Sequence, residues 1–191
     1  MDIIAAEGLP AVRVILPYRH QDARGYFSEV WREDAMRQAG IDVRFVQENH
    51  VLSRIKGTIR GLHFQIGPAA QAKLVRCVRG SIFDVAVDIR RGSPTFGRHV
   101  SLILSTENWK QLYVPIGFAH GYCTLEPETE VTYKVTAYYD PASERGVAWD
   151  DPEIGIAWPV DGEKAVLGSR DRVHPRLSEL SDVFDYASYP D

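Results

Sequence analysis

The residues best suited to acid-base chemistry lie in two short, glycine-rich segments. Residues 57–65 read GTIRGLHFQ and carry Arg60 and His63, and residues 115–122 read PIGFAHGY and carry His120. Histidine titrates near neutral pH, so either imidazole could move a proton or donate a hydrogen bond in a pocket. A packing role is equally compatible with each histidine by itself, and residue type alone leaves both alternatives open.

Whether Arg60 and His63 act together depends on the strand that carries them. Residues three apart on a regular strand point to opposite faces of the sheet. Both side chains reach one pocket only if Gly57 or Gly61 introduces a bulge or twist, a device common near active sites.

A third candidate, Lys73, opens the strand-like run KLVR. In most proteins a lysine in this position is a solvated charge at a strand edge. Beside a ketone it could instead stabilise the negative charge of an enolate.

Short β-like segments dominate the periodic signal along the chain. They are rich in Val, Ile, Phe and Tyr and bounded by Gly, Pro, Asn or Asp. The predicted strands are Ala11 to Leu16, Lys73 to Val78, Ser81 to Ile89, Val100 to Leu104, Gln111 to Val114 and Glu130 to Tyr138. Arg79-Gly80 predicts a tight hairpin between two of them, with Gly80 at positive φ. Helices are predicted only at about Arg32 to Ala39, ending at Gly40, and at Arg176 to Phe184.

Many short strands without long helices between them favour an all-β sandwich or barrel, and we predict a jelly roll forming one domain over residues 1–191. The formal net charge of -4 argues against a nucleic-acid binder. The N-terminal segment lacks a basic head and a long apolar run, which predicts a cytoplasmic protein without membrane association. Cys77 and Cys123 are too few for a disulfide framework and are interpreted as packing residues.

A series of motifs in fixed order points to one family. They are DARGYFSE (22–29), QEN (47–49), RGLH (60–63), KLVR (73–76), DVAVD (84–88), SPTFG (93–97), PIGFAHG (115–121) and YK (133–134). Each is weak alone, but the ordered set covers most of the chain. It resembles the dTDP-4-dehydrorhamnose 3,5-epimerases. The resemblance implies a cupin-type jelly roll, a homodimer, a dTDP-linked 4-keto-6-deoxy sugar as substrate and no cofactor.

The resemblance also assigns roles to individual residues. It implies that His63 is the general base, oriented by Asp171 with Asp84 in reserve, and that Tyr133 is the opposing general acid. Lys73, Arg60 and His120 would bind the sugar and diphosphate and stabilise enolate charge. Tyr139 would stack on the thymine. The remaining implied substrate contacts are Arg24, Phe27, Glu29, Gln47, Asn49, Glu144 and Arg170.

Two residues depart from the patterns of related proteins, and two alternative functions stay open. Metal-binding cupins usually carry His-x-His where this chain has His63-Phe64-Gln65, and Gln is a poor ligand for transition metals, so we predict no metal. Arg170 stands where the family pattern has Lys, which alters the geometry of a phosphate contact. An epimerase acting at C3 or C5 alone and a catalytically silent sugar-nucleotide-binding protein remain open alternatives, although the latter would be expected to lose His63 or Tyr133 first.

Overall fold

Sixteen short strands and one α-helix form the regular structure in the computed structural model, which describes residues 1–181 and 183–191. The helix α1 spans Glu33–Gln38. The strands are β1 (Asp2–Ala6), β2 (Leu9–Leu16), β3 (His20–Asp22), β4 (Gly25–Phe27), β5 (Gln47–Ser53), β6 (Thr58–Gln65), β7 (Lys73–Arg79), β8 (Ser81–Asp88), β9 (Arg90–Arg91), β10 (His99–Ser105), β11 (Gln111–Val114), β12 (Phe118–Thr124), β13 (Thr129–Val135), β14 (Glu144–Gly146), β15 (Val166–Leu167) and β16 (Phe184–Asp185).

Two antiparallel sheets build the fold. The first has the strand order β1-β2-β11-β7-β13-β5, and the second has the order β10-β8-β12-β6-β14, with β15 added in parallel to β6. A buried cluster takes Val75 and Leu112 from the first sheet and Ala86 and Leu104 from the second, so the sheets pack face to face. Alternating apolar residues on the inner faces therefore form one core, and the architecture is the predicted cupin-type jelly roll.

All six predicted strands are present. The largest difference is at β13, which ends at Val135 rather than Tyr138 because the following backbone groups bind side chains instead of a neighbouring strand. Cys77 and Cys123 are buried and free, as expected for packing residues.

The predicted hairpin at Arg79-Gly80 is wrong. Gly80 does have a positive φ of 75°, but β7 belongs to the first sheet and β8 to the second. The turn carries the chain across the sandwich. β7 pairs instead with β11 and β13, whose sequence positions are distant, so local turn chemistry could not identify its partners.

One of the two predicted helices is confirmed and the other is wrong. The helix α1 lies inside the predicted range, with Gly40 beyond its end at φ 83°. Between 176 and 184, the described residues form a 3-10 turn at Leu177–Glu179 and then enter β16. The helix-like spacing of Leu177, Leu180 and Phe184 arises because an irregular segment buries these side chains against the second sheet. Among the described residues, no helix has the length and apolarity needed to cross a membrane.

Candidate functional site

A bulge in β6 aligns the two residues that a regular strand would separate. Across the ladder, His63 faces His120 and Arg60 faces Tyr122, so three steps along β6 match two steps along β12. Residues 120 and 122 share one face of β12. The extra residue therefore brings Arg60 and His63 to the same face, as the sequence required for a joint site.

Gly61 makes this bulge sterically possible. Its φ of 123° lies where side chains are strongly disfavoured, and a Cβ there would lie 2.6 Å from Gly121 Cα. The close approach of β6 to β12 thus depends on glycine in both strands.

The imidazole of His63 is bound to a carboxylate from a distant part of the chain. His63 Nε2 lies 2.6 Å from Asp171 Oδ1, although the two residues are 108 positions apart. Burial opposes ionisation of Asp171, but the nearby imidazole of His174 and the hydrogen bond with His63 outweigh this effect and hold the pKa of the carboxyl well below its usual range. An ionised Asp171 can fix the orientation of the His63 imidazole through this hydrogen bond.

His174 is part of this cluster and was missed by the sequence analysis. Its Nε2 lies 3.5 Å from Asp171 Oδ1, and its ring meets that of His63 edge to face at 5.5 Å. A Cβ on Gly146 would come within 2.4 Å of the His174 ring, so this glycine makes room for it. The spacing of three residues from Asp171 was the signal available in the sequence.

A single pocket collects many of the predicted site residues, and we call it the site pocket. Its lining consists of Gln47, Asn49, His63, Phe64, Gln65, Gln71, Lys73, Tyr133, Tyr139 and Glu144. His63 enters from the second sheet, whereas Lys73 and Tyr133 enter from the first. The two layers of the jelly roll thereby place a histidine and a tyrosine on different walls of one pocket.

Lys73 is not a solvated edge charge. It lies on an interior strand of the first sheet, is 8% exposed and donates a hydrogen bond to His63 O over 3.1 Å. Burial lowers the pKa of Lys73 to about 8, although Asp84 and Glu144 act in the opposite direction. The ammonium group therefore remains largely protonated at neutral pH in a poorly solvated position.

Tyr133 lies on β13 and is half-buried. It faces Asn49 across the ladder of β13 and β5. Burial raises the pKa of Tyr133, with Arg60 and a hydrogen bond to Asn49 opposing this effect. The phenol consequently keeps its proton at neutral pH, which suits a proton donor.

His120 has a carboxylate partner of its own. His120 Nε2 lies 2.8 Å from Asp84 Oδ1, and both residues are buried. Asp84, the reserve candidate for orienting His63, is thus bound to His120, while Asp171 is bound to His63.

The mouth of the pocket is built by polar and aromatic groups. The Tyr139 hydroxyl donates to Glu144 Oε2 at 2.9 Å, and Arg170 Nη1 donates to the same oxygen at 2.6 Å. Gln47 Nε2 donates to Asn49 Oδ1 at 2.9 Å. Five of the predicted substrate contacts are therefore neighbours at one opening.

Three predicted contacts lie elsewhere. Arg24 and Phe27 belong to the hairpin of β3 and β4 and border a different, shallow concavity, and Glu29 is exposed just beyond the hairpin. Arg24 is bound to Asp22. Within one chain, these residues do not line the site pocket. Two further predicted contacts, Arg60 and His120, are also not among its lining residues and are bound to Ser53 and Asp84 respectively.

Three side chains around His63 are of types that can bind a metal ion. One ligand atom from each of His63, Asp171 and His174 lies within 4.8 Å of the others. Gln65, at the position where metal cupins place a histidine, instead donates to Ala69 O at 2.7 Å and accepts from Asp140 N at 2.9 Å. Its carboxamide is therefore committed to backbone groups.

Comparison with known proteins gives this geometry its context. The family model described as dTDP-4-dehydrorhamnose 3,5-epimerase matches residues 7–179. The chain belongs to this family. A dTDP-4-dehydrorhamnose 3,5-epimerase from Sinorhizobium fredii is 54% identical over 175 residues, which cover 92% of this chain and 89% of that protein.

Solved structures of epimerases share the fold. The crystal structure of a dTDP-6-deoxy-D-glucose-3,5-epimerase from Legionella pneumophila, in complex with dTDP-4-keto-L-rhamnose, matches with a TM-score of 0.90 at 41% identity, covering 97% of this chain and 98% of that one. A 3′-monoepimerase from Streptomyces bikiniensis in complex with dTDP-quinovose has a TM-score of 0.90 at 34% identity, and the match covers 97% of this chain and 95% of that one. The family fold thus accommodates both double and single epimerases.

Proposed function

We propose that this protein is an isomerase that converts dTDP-4-dehydro-6-deoxy-D-glucose to dTDP-4-dehydro-L-rhamnose by inverting C3 and C5, in dTDP-L-rhamnose biosynthesis. The observation that carries the proposal is the pairing of His63 with Asp171 on one wall of a pocket whose other wall holds Tyr133 and Lys73. Membership of the epimerase family supports the substrate class.

The chemistry follows from the position of the ketone. C3 and C5 both lie beside the C4 carbonyl, so removing either proton gives an enolate with its charge on the C4 oxygen. His63 accepts the proton, and ionised Asp171 stabilises the resulting imidazolium. The electron pair of the broken C–H bond moves into the enolate, so the reaction needs no redox cofactor.

Inversion requires a new proton on the opposite face of the sugar ring. Tyr133 is suited to donate it because it enters from the other sheet and its raised pKa keeps the phenol protonated. His63 then releases its extra proton to solvent, and the Tyr133 phenolate takes one up. Both groups are thereby returned to their starting protonation states. The cycle repeats at the second carbon.

Lys73, Arg60 and His120 are assigned to the negative charge of the sugar and diphosphate. The ammonium of Lys73 is buried, which strengthens its interaction with a developing enolate oxygen. At the pocket mouth, Tyr139 is assigned to the thymine, and Gln47, Asn49, Glu144 and Arg170 to the rest of the nucleotide. Arg170 would need to exchange its bond with Glu144 for a phosphate.

Replacement of Lys73 by Ala is expected to lower kcat by roughly 10²- to 10³-fold and to raise KM, because a buried cation for the enolate oxygen is lost. In the wild type, kcat/KM should fall as pH rises through about 8, where Lys73 loses its proton. Steady-state kinetics across pH measures both effects. Lys134→Ala, on the adjacent strand and paired with Glu48, is the matched control. Unchanged kcat/KM in Lys73→Ala would remove this residue from the mechanism.

The direct test of the function is incubation with dTDP-4-keto-6-deoxyglucose in deuterated water, followed by NMR. We expect deuterium at C3 and C5 with inverted configuration at both carbons. The assay contains excess EDTA and no added cofactor, so turnover also tests the expectation that neither metal nor cofactor is needed. Deuterium at one carbon only would favour the single-carbon epimerase, an alternative supported by the similarity to the 3′-monoepimerase. Binding of the nucleotide sugar without exchange would indicate the silent binding protein.

We propose a homodimer as the functional unit. Tyr18, Tyr26 and Phe27 are 52%, 56% and 71% exposed, a concentration of aromatic surface that suits burial against a second copy. A partner's hairpin is also the simplest source of the contacts assigned to Arg24, Phe27 and Glu29. The reducing cytoplasm is the proposed location, consistent with two free cysteines.

The wild type is therefore expected to sediment as a dimer at micromolar concentration. Phe27→Asp should shift it toward monomer and raise KM, because a charge in place of the exposed ring opposes burial. Ile103→Asp, at a residue 50% exposed on β10, is the control for a charge elsewhere on the surface. A monomeric wild type would contradict the proposal.

A further inference from the structure

The segment that carries Tyr139 to the pocket mouth is held by side chains rather than by a sheet. After β13 ends at Val135, residues 137–140 form no ladder, yet each presents a backbone group to a glutamine. Gln71 Nε2 donates to Ala137 O at 2.7 Å, and Gln65 Nε2 donates to Tyr138 O at 3.2 Å. Gln47 Oε1 accepts from Tyr139 N at 3.1 Å, and Gln65 Oε1 accepts from Asp140 N at 2.9 Å.

We call Gln47, Gln65 and Gln71 the glutamine clamp. They come from the start of β5, the end of β6 and the short connection between β6 and β7, so two parts of the chain that are distant in sequence from residues 137–140 converge on these four consecutive residues. A carboxamide suits this task because it both donates and accepts. Gln65 uses both capacities, and at 4% exposure its amide would be costly to leave unpaired.

The clamp leaves the Tyr139 side chain at the opening of the pocket. Tyr139 is 48% exposed, while its hydroxyl is bound to Glu144. Gln47 accepts a hydrogen bond from Tyr139 N and donates one to Asn49 Oδ1, so it links residue 139 to a neighbour at the pocket mouth. A ring held by both its backbone and its hydroxyl is ordered before any ligand arrives, which reduces the entropy lost on binding.

We propose that the glutamine clamp consists of positioning residues that fix Tyr139 for stacking on the nucleobase, so that Gln65 and Gln71 act on affinity without touching the reacting atoms. This inference rests on the proposed function, because it takes the ligand to be a thymidine diphosphate sugar.

The test uses Gln71→Met, which keeps the length of the side chain and removes its donor. The Kd for dTDP, measured by calorimetry, should rise about three- to tenfold, the size expected for one lost hydrogen bond. KM should rise with it, while kcat changes less than about twofold, because the reacting sugar contacts His63, Lys73 and Tyr133 instead. Backbone amide exchange at Tyr139 and Asp140 should accelerate in the ligand-free protein, and a thermal melt checks folding.

A double-mutant cycle shows whether the effect passes through the ring. In a Tyr139→Ala background, Gln71→Met should weaken dTDP binding no further. Additive losses, or unchanged Kd and amide exchange in the single variant, would overturn the proposal. Failure of the wild type to bind dTDP would instead overturn the proposed function, and the amide exchange measurement separates the two results.

Discussion

His63→Asn is expected to abolish deuterium incorporation at both C3 and C5, with a loss of at least roughly 10²- to 10⁴-fold in turnover. The reason is that the proposed base for both carbons is a single imidazole, that of His63, which is bound through Nε2 to Asp171. Asparagine retains polar atoms near the carboxylate but cannot accept a proton at neutral pH. NMR of the product in deuterated water measures exchange at each carbon separately.

Two controls make the result specific to the base. The Kd of the variant for dTDP should remain close to that of the wild type, because the residues assigned to the nucleotide lie at the pocket mouth. His50→Asn, an exposed histidine on β5 bound to Glu130, applies the same substitution outside the pocket and should retain full exchange. If His63→Asn still exchanged both protons while folded, the base would have to be sought elsewhere.

Tyr133→Phe is expected to separate proton removal from inversion. Deleting the phenol hydroxyl leaves His63 able to form the enolate and to return a proton to the same face. Deuterium should therefore enter with retained configuration, provided that His63 exchanges with water before returning the proton. Formation of inverted product should fall by roughly 10²- to 10⁴-fold, the contribution of a positioned acid.

The neighbouring tyrosines provide the comparison for this variant. Tyr138 is 70% exposed, and Tyr138→Phe should leave both rate and stereochemistry unchanged. Tyr139 also lines the pocket, but its hydroxyl is bound to Glu144 at the mouth. Tyr139→Phe should thus affect binding more than inversion. Wild-type inversion in folded Tyr133→Phe would remove that residue from the mechanism.

Local sequence located the six predicted strands among the sixteen that the described residues form, because alternation of apolar and polar residues indicates which face meets the core. It could not assign the strands to sheets. The turn at Gly80 has the conformation predicted for a hairpin, but whether the chain folds back or crosses the sandwich depends on which strands compete for the edges of β7. The apolar spacing at 177–184 was similarly ambiguous, since an irregular segment on a core surface buries the same side chains as a helix face.

For the site, too, the sequence indicated some features and only the tertiary structure showed the others. The family resemblance carried by the ordered motifs implied the residues for an enolising acid-base reaction, and the three-residue spacing of Arg60 and His63 showed that a bulge was needed, at Gly57 or Gly61. Only the tertiary structure decided that β6 is bulged at Gly61, that Asp171 rather than Asp84 meets His63, and that Lys73 is buried. It also revealed His174 and the glutamine clamp. These features depend on contacts between distant segments, whose distances and burial are set by the packing of two sheets and are not encoded in any local pattern.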